Sequence, residues 1–241
     1  NTAYIVMEYL EGVTLKQYLR ENQRIAPEDL IELLVPLIES LDEIHSQGMI
    51  HRDISPDNIY LTADGDSRLL DFGAARFAPG DGKSVSVILK HGYAPEEQYS
   101  SPGNQGPWTD VYAMGATLYR CITGVLPPDS IERIHGDTLK RPSELGISIS
   151  PAIEQAILKA LSIRTEDRFM SMEAFICALN GDVATASAQS PSPGSTANAP
   201  QQYTGAVSSR PAAFFAVLSA HLKQNPLLAV ALGGALVAVV A

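Results

Sequence analysis

Residues 51–58 read HRDISPDN. A carboxylate at Asp53 is followed five positions later by a carboxamide at Asn58, with His51 and Arg52 directly before. Taken alone, an aspartate and an asparagine at this spacing make an ordinary turn built from side chain–backbone bonds. The neighbouring sequence gives them chemistry. A hairpin is predicted next, with strands around Ile59–Leu61 and Arg68–Leu70 joined by ADGDS at 63–67, and Asp71 lies just past its second strand. A hairpin returns the chain, so Asp71 can face Asn58. The oxygens of Asn58 and Asp71 are hard donors suited to Mg²⁺, which keeps waters and substrate phosphates as its remaining ligands. Asp53 is then left to accept a proton from an attacking hydroxyl. This layout suits phosphoryl transfer.

Outward from this loop the pattern is mostly helical. Thr14 to about Glu21 reads as a short helix, and Pro27 to about Gln47 as a longer one with Leu30, Leu33, Leu37, Leu41 and Ile44 at helical spacing. Pro36 should bend or break that helix, and Gly48 ends it. Asp110–Thr123 is the most apolar helix, and Tyr4–Tyr9 reads as a strand. A helix-rich unit carrying a small hairpin is an α+β fold. The 241 residues carry a formal net charge of -10, which argues against a nucleic-acid partner. The two cysteines, Cys121 and Cys177, sit in apolar helical patterns and read as reduced core thiols, with no disulfide frame and no zinc site.

HRDISPDN resembles the catalytic loop of protein kinases, DFG at 71–73 resembles their metal-binding triplet, and APE at 94–96 resembles the end of their activation segment. Three such triplets in this order make a specific signal, spanning residues 1–180. The resemblance is to bacterial-type, receptor-like serine/threonine kinases of the Hanks type. It implies a hinge followed by a mostly helical C-terminal lobe, with ATP and Mg²⁺ as cofactors and proteins as substrates. On that resemblance Asp53 is the base, and Asn58 and Asp71 are the metal ligands. Met7 is the gatekeeper, and the backbone of Glu8 and Leu10 meets adenine. Thr14 lies near the ribose, and Tyr60 completes the nucleotide-binding set. His51 and Phe72 stack in the column between lobes, Asp110 holds the catalytic-loop backbone, and Glu96 pairs with Arg168. Arg52 is expected to bind a phosphate on the activation segment, with Ser84 and Ser86 as its sources.

The sequence also departs from that family. Many members carry lysine where Ser55 stands, and the usual threonine of the activation segment is not evident before Tyr93. The two departures together suggest a rearranged site, with Lys90 entering it to supply the charge Ser55 lacks. The small lobe's glycine-rich loop, strand lysine and partner glutamate are also not found, so the chain is expected to be part of a longer protein and to bind ATP weakly by itself. Residues 181–225, rich in Ser, Ala, Pro and Gln, read as a flexible linker. Residues 226–241 are wholly apolar and read as a truncated transmembrane helix. Arg210 and Lys223 before that run place the domain in the cytoplasm of a single-pass cell-membrane protein. Dimerisation for trans-autophosphorylation fits such a protein. The competing expectation is a pseudokinase scaffold that binds proteins without phosphotransfer.

Overall fold

The structure, a computed structural model, describes residues 10–71, 76–77, 89–100 and 104–181. The expected strand at Tyr4–Tyr9, the linker at 181–225 beyond its first residue and the apolar run at 226–241 lie outside the described residues, as do Met7, Glu8, Phe72, Ser84 and Ser86. Among the described residues no helix is long and apolar enough to cross a membrane.

Among the described residues the first strand, β1 (Gly12–Thr14), leads directly into helix α1 (Leu15–Asn22). Thr14 starts that helix as a capping box. Its hydroxyl accepts from the Gln17 backbone N–H at 3.1 Å, and the Gln17 side chain accepts from the Thr14 N–H at 2.9 Å. Helix α2 (Pro27–Ser46) follows, with Pro27 at its first turn, where a missing N–H costs nothing. The expected break at Pro36 does not occur, and α2 runs on through it. Pro36 and Glu32 both lie on the exposed face, so the carbonyl deprived of its partner by the ring is on the solvent side. The opposite face buries Leu30, Leu34, Ile38 and Leu41 almost completely.

A short strand, β2 (Met49–Ile50), pairs antiparallel with β5 (Arg76–Phe77). Between them run the loop 51–58 and the hairpin of β3 (Ile59–Thr62) and β4 (Ser67–Leu69). Strand β3 is the centre of a three-stranded antiparallel sheet in the order β1-β3-β4. The register sets Val13 opposite Leu61 and Ile59 opposite Leu69. This sheet frames the loop from both ends.

After α3 (Glu96–Ser100) comes α4 (Pro107–Thr123), the central helix. From Thr109 to Thr123 every residue except Arg120 is buried. A helix apolar on all sides must be enclosed by others. Here α2, α6 (Pro151–Ala160) and α7 (Met172–Leu179) enclose it, with the short α5 (Ser130–His135) between α4 and α6 in the chain. Gly115 permits the close approach of α6, since a Cβ there would lie 2.8 Å from that of Ala160. Both cysteines are free, with Cys121 fully buried in this core.

One buried ion pair ties α3 to the helical core. Arg168 donates through Nη1 and Nη2 to the two carboxylate oxygens of Glu97, at 2.7 and 3.1 Å. The expected partner was Glu96, the neighbour one residue earlier. Successive helical residues point about 100° apart, so only one of the two can face inward. The inward one is Glu97, 2% exposed. The guanidinium also donates to the carbonyls of Ser162 and Ile163 and lies over the Tyr112 ring. Thr109 adds a hydroxyl to Glu97 Oε1. With its partner removed, Glu97 would be a buried charge without compensation. Arg168→Ala should therefore cost about 3–5 kcal/mol in urea denaturation, whereas an exposed arginine such as Arg164 changed to Ala should leave the urea midpoint nearly unchanged.

Candidate active site

The loop 51–58 is held from below by one carboxylate. Asp110 lies in the first turn of α4, where the helix dipole favours negative charge, and it is fully buried. Its Oδ2 accepts from the His51 N–H at 2.7 Å, and its Oδ1 accepts from the Arg52 N–H at 2.7 Å. His45, at the end of α2, is 2.8 Å from Oδ2 through Nε2. A carboxylate can only accept, so that imidazole nitrogen carries the proton. Arg52 needs this hold because its φ is 71°, in the left-handed region that costs a non-glycine residue energy. The other side of the same residue is fixed too, since Gln98 Nε2 donates to the Arg52 carbonyl at 2.9 Å. His51 is fully buried, and burial holds its pKa below the ordinary histidine value. Its Nδ1 accepts from the Asp53 N–H at 3.3 Å, consistent with a neutral ring.

Asp53 projects from this braced loop. Asn58 Nδ2 donates both to the Asp53 carbonyl at 2.7 Å and to its carboxylate at 2.8 Å. With its amide nitrogen so engaged, the Asn58 side-chain oxygen is left available for a cation. The Leu70 N–H donates to the Asn58 carbonyl at 2.7 Å, which brings the end of the hairpin against Asn58. Asp71 follows directly, exposed and at φ 59°. Among the described residues no group of three or more His, Cys, Asp or Glu side chains could hold a metal. One carboxamide and one carboxylate are too few for an all-protein site. They fit Mg²⁺, which takes most of its ligands from water and phosphate.

Lys90 reaches this centre from the far side. Its ammonium is 2.8 Å from Asp53 Oδ1 and donates to Ser55 Oγ at 3.0 Å. Ser55 is fully buried. The Lys90 carbonyl accepts from the N–H groups of Tyr93 and Ala94, both at 3.0 Å, so a tight turn fixes the lysine backbone. Gly92 closes that turn at φ 79°, and a Cβ there would lie 2.8 Å from Leu126 and from the Pro127 carbonyl. Ser130 then donates to the Ala94 carbonyl at 2.8 Å. A small cavity between Asp53, Lys90 and Tyr93 is bordered by Arg52 and Gln98.

The remaining expected site residues lie at the hinge side. The Tyr60 hydroxyl donates to the Leu10 carbonyl at 3.1 Å, so Tyr60 braces the backbone that leads out of residues 1–9. The Thr14 hydroxyl is committed to the cap of α1, where it donates to Gln17 Oε1 as well as accepting. His45, Gln98 and Glu97 are structural participants that pattern reading did not single out. Their partners lie 65, 46 and 71 residues away in the chain, and no local signal marks such pairs.

Asp110→Ala leaves two N–H groups of the loop without an acceptor, one of them on a strained residue. The expected result is a loss on the order of 3 kcal/mol or more, read by thermal unfolding, with Asp110→Asn falling between it and the wild type.

Comparison with known proteins gives one family. The family described as "Protein kinase domain" matches residues 1–176. "Probable serine/threonine-protein kinase PknB" of Lactococcus lactis is 29% identical over 191 residues, covering 76% of this chain and 30% of that protein. "Serine/threonine-protein kinase PknB" of Mycolicibacterium smegmatis is 32% identical over 180 residues, covering 70% and 28%. "Serine/threonine-protein kinase PknD" of Mycobacterium tuberculosis is 30% identical over 178 residues, covering 70% and 26%. The chain spans less than a third of the length of these relatives.

Proposed function

The chain belongs to the protein kinase family, and on that premise we propose that the protein moves the terminal phosphoryl group of ATP to serine or threonine hydroxyls of protein substrates. The observation that carries the reading is the convergence of Asp53, Asn58 and Lys90 on one point of a braced loop. The substrate hydroxyl gives its proton to the Asp53 carboxylate as its oxygen bonds to phosphorus, and the bond from phosphorus to the ADP oxygen breaks. Asn58 orients the carboxylate through its amide nitrogen and, with Asp71, would hold Mg²⁺, which supplies charge neutralisation on the phosphates when bound. Leu10 and the preceding backbone would border the adenine, with Tyr60 as their support.

Lys90 has a distinct role in this proposal. Ser55 has no charge to set against the transferring phosphoryl group. The Lys90 ammonium, hydrogen-bonded to the Ser55 hydroxyl, holds a cation beside the base from a different segment of chain. That arrangement favours transfer over a scaffold without chemistry. Attachment to the cell membrane through residues 226–241, with the domain on the cytoplasmic side, completes the proposal. It is supported by the unbroken apolar run there and by Arg210 and Lys223 before it.

The test is phosphotransfer by the full-length protein with labelled ATP, Mg²⁺ and a generic protein acceptor. Asp53→Asn should lower turnover by about 10²–10⁴-fold without loss of ATP binding. Absence of transfer by the wild type would leave the scaffold reading in its place. A second series tests the lysine. Lys90→Ala should lower kcat by about 10²-fold with little change in KM for ATP. The exchange variant Ser55→Lys with Lys90→Thr should recover most of that loss, because the cation returns from the 51–58 loop. Equal rates for Lys90→Ala and wild type would remove Lys90 from the chemistry.

A further inference from the structure

Beside the Asp53 centre lies a second cleft, of about 330 Å³, that none of the groups above uses. Its rim is formed by Pro56 and Asp57 of the same loop, by Lys16, Leu19 and Arg20 of α1, and by Arg120 and Leu126 at the end of α4. Tyr93 lines both this cleft and the cavity at Asp53 and Lys90, so the two are neighbours across one ring. The position is fixed by backbone bonding, since the Lys16 N–H donates to the Pro56 carbonyl at 2.9 Å.

The charge in this cleft is unlike that of the chain. The whole sequence has a formal net charge of -10. The cleft holds three cations and one anion. Lys16 and Asp57 are 2.5 Å apart and neutralise each other. Arg20 and Arg120 remain, with no carboxylate in the cleft left to meet them. Arg120 is the single residue from Thr109 to Thr123 on α4 that is not buried. Its Nη1 is nevertheless enclosed, with no hydrogen-bond partner among the described residues. Arg120 also borders the cleft, so the charge of its guanidinium acts on an incoming anion there. The planar donor set of arginine matches a carboxylate or a phosphate. Leu19 and Leu126 give the cleft apolar walls, and Leu126 is 44% exposed, free to cover the stem of an arriving side chain.

We propose that this cleft is a substrate subsite for an anionic side chain, a carboxylate or a phosphorylated residue, that flanks the acceptor hydroxyl in the protein substrate. The inference rests on the phosphotransfer reading for its neighbour, Asp53, but it concerns which proteins are chosen. Arg120 receives the anion at the floor of the cleft, and Arg20 adds long-range attraction at its mouth. Lys16 keeps Asp57 from repelling it.

The experiment measures binding without turnover. Full-length protein is titrated against fluorescent peptides of one common sequence in which alanine replaces the acceptor residue. The flanking positions carry glutamate, phosphoserine or lysine, and anisotropy is read. The glutamate or phosphoserine peptide should bind at least about tenfold more tightly than the lysine peptide. The order of those two assigns the cleft to a carboxylate or to a phosphate. Arg20→Glu, on an exposed helix surface, should reduce the preference, and Arg120→Gln should abolish it while the melting temperature confirms folding. Equal affinity for the acidic and lysine peptides, or a preference that survives both substitutions, would overturn the proposal. Phosphotransfer by the wild type in the absence of any charge preference would sink this inference alone. An acid preference in a protein that transfers no phosphate would sustain the subsite and remove only the chemistry proposed for Asp53.

Discussion

A single buried carboxylate holds the site in shape. Asp110 sits at the positive end of a helix that is enclosed on nearly every side, and it accepts three hydrogen bonds. Two of these come from consecutive backbone N–H groups, and the second belongs to a residue in a left-handed conformation. Such a conformation persists only when its surroundings over-determine it. Here Asp110 fixes the amide of Arg52 and Gln98 fixes its carbonyl. The consequence is that the direction of Asp53, the next residue, is set by the core of the helical lobe and not by the loop's own preferences.

The charge of the centre is assembled from separate parts of the chain. Asp53 and Asn58 come from the braced loop, Asp71 from the end of the hairpin, and Lys90 from the segment before α3. Each part has its own anchor: the Asp110 bonds, the β3–β4 register, and the turn from Lys90 to Ala94. The anchor of α3 is in turn the buried Glu97–Arg168 pair, which also joins the start of α4 to the chain before α7. A fault in that pair reaches the position of Lys90 through α3 and the turn before it. The centre is therefore coupled to folding of the helical lobe, although its charged groups are partly exposed.

The Lys90 ammonium meets the Ser55 hydroxyl as well as the Asp53 carboxylate. A buried serine hydroxyl that accepts from an ammonium costs little, and the ammonium satisfies both the hydroxyl and the Asp53 carboxylate. The same segment carries Tyr93, whose ring divides the Asp53 cavity from the cationic cleft. One turn thus places a residue that borders both.

Local pattern was enough for the helices α2 and α4, for the hairpin, and for singling out Asp53, Asn58 and Asp71 as candidates. These follow from periodicity, turn residues and short motifs, all of which act within a few residues. The start of α1 at Thr14 follows from the same kind of local pattern. Spacing could not say which of two adjacent glutamates would meet Arg168, because that depends on the rotation of a helix against a core 71 residues away. Nor could it show that Pro36 lies on the exposed face, where its missing hydrogen bond does no harm. The use of His45 and Gln98 as braces, the distance from Lys90 to Asp53, and the placing of Arg20 and Arg120 on one cleft appear only once the chain is folded. Each requires segments distant in the chain to be packed together, and packing of that kind is settled by the burial of the whole lobe rather than by any local pattern.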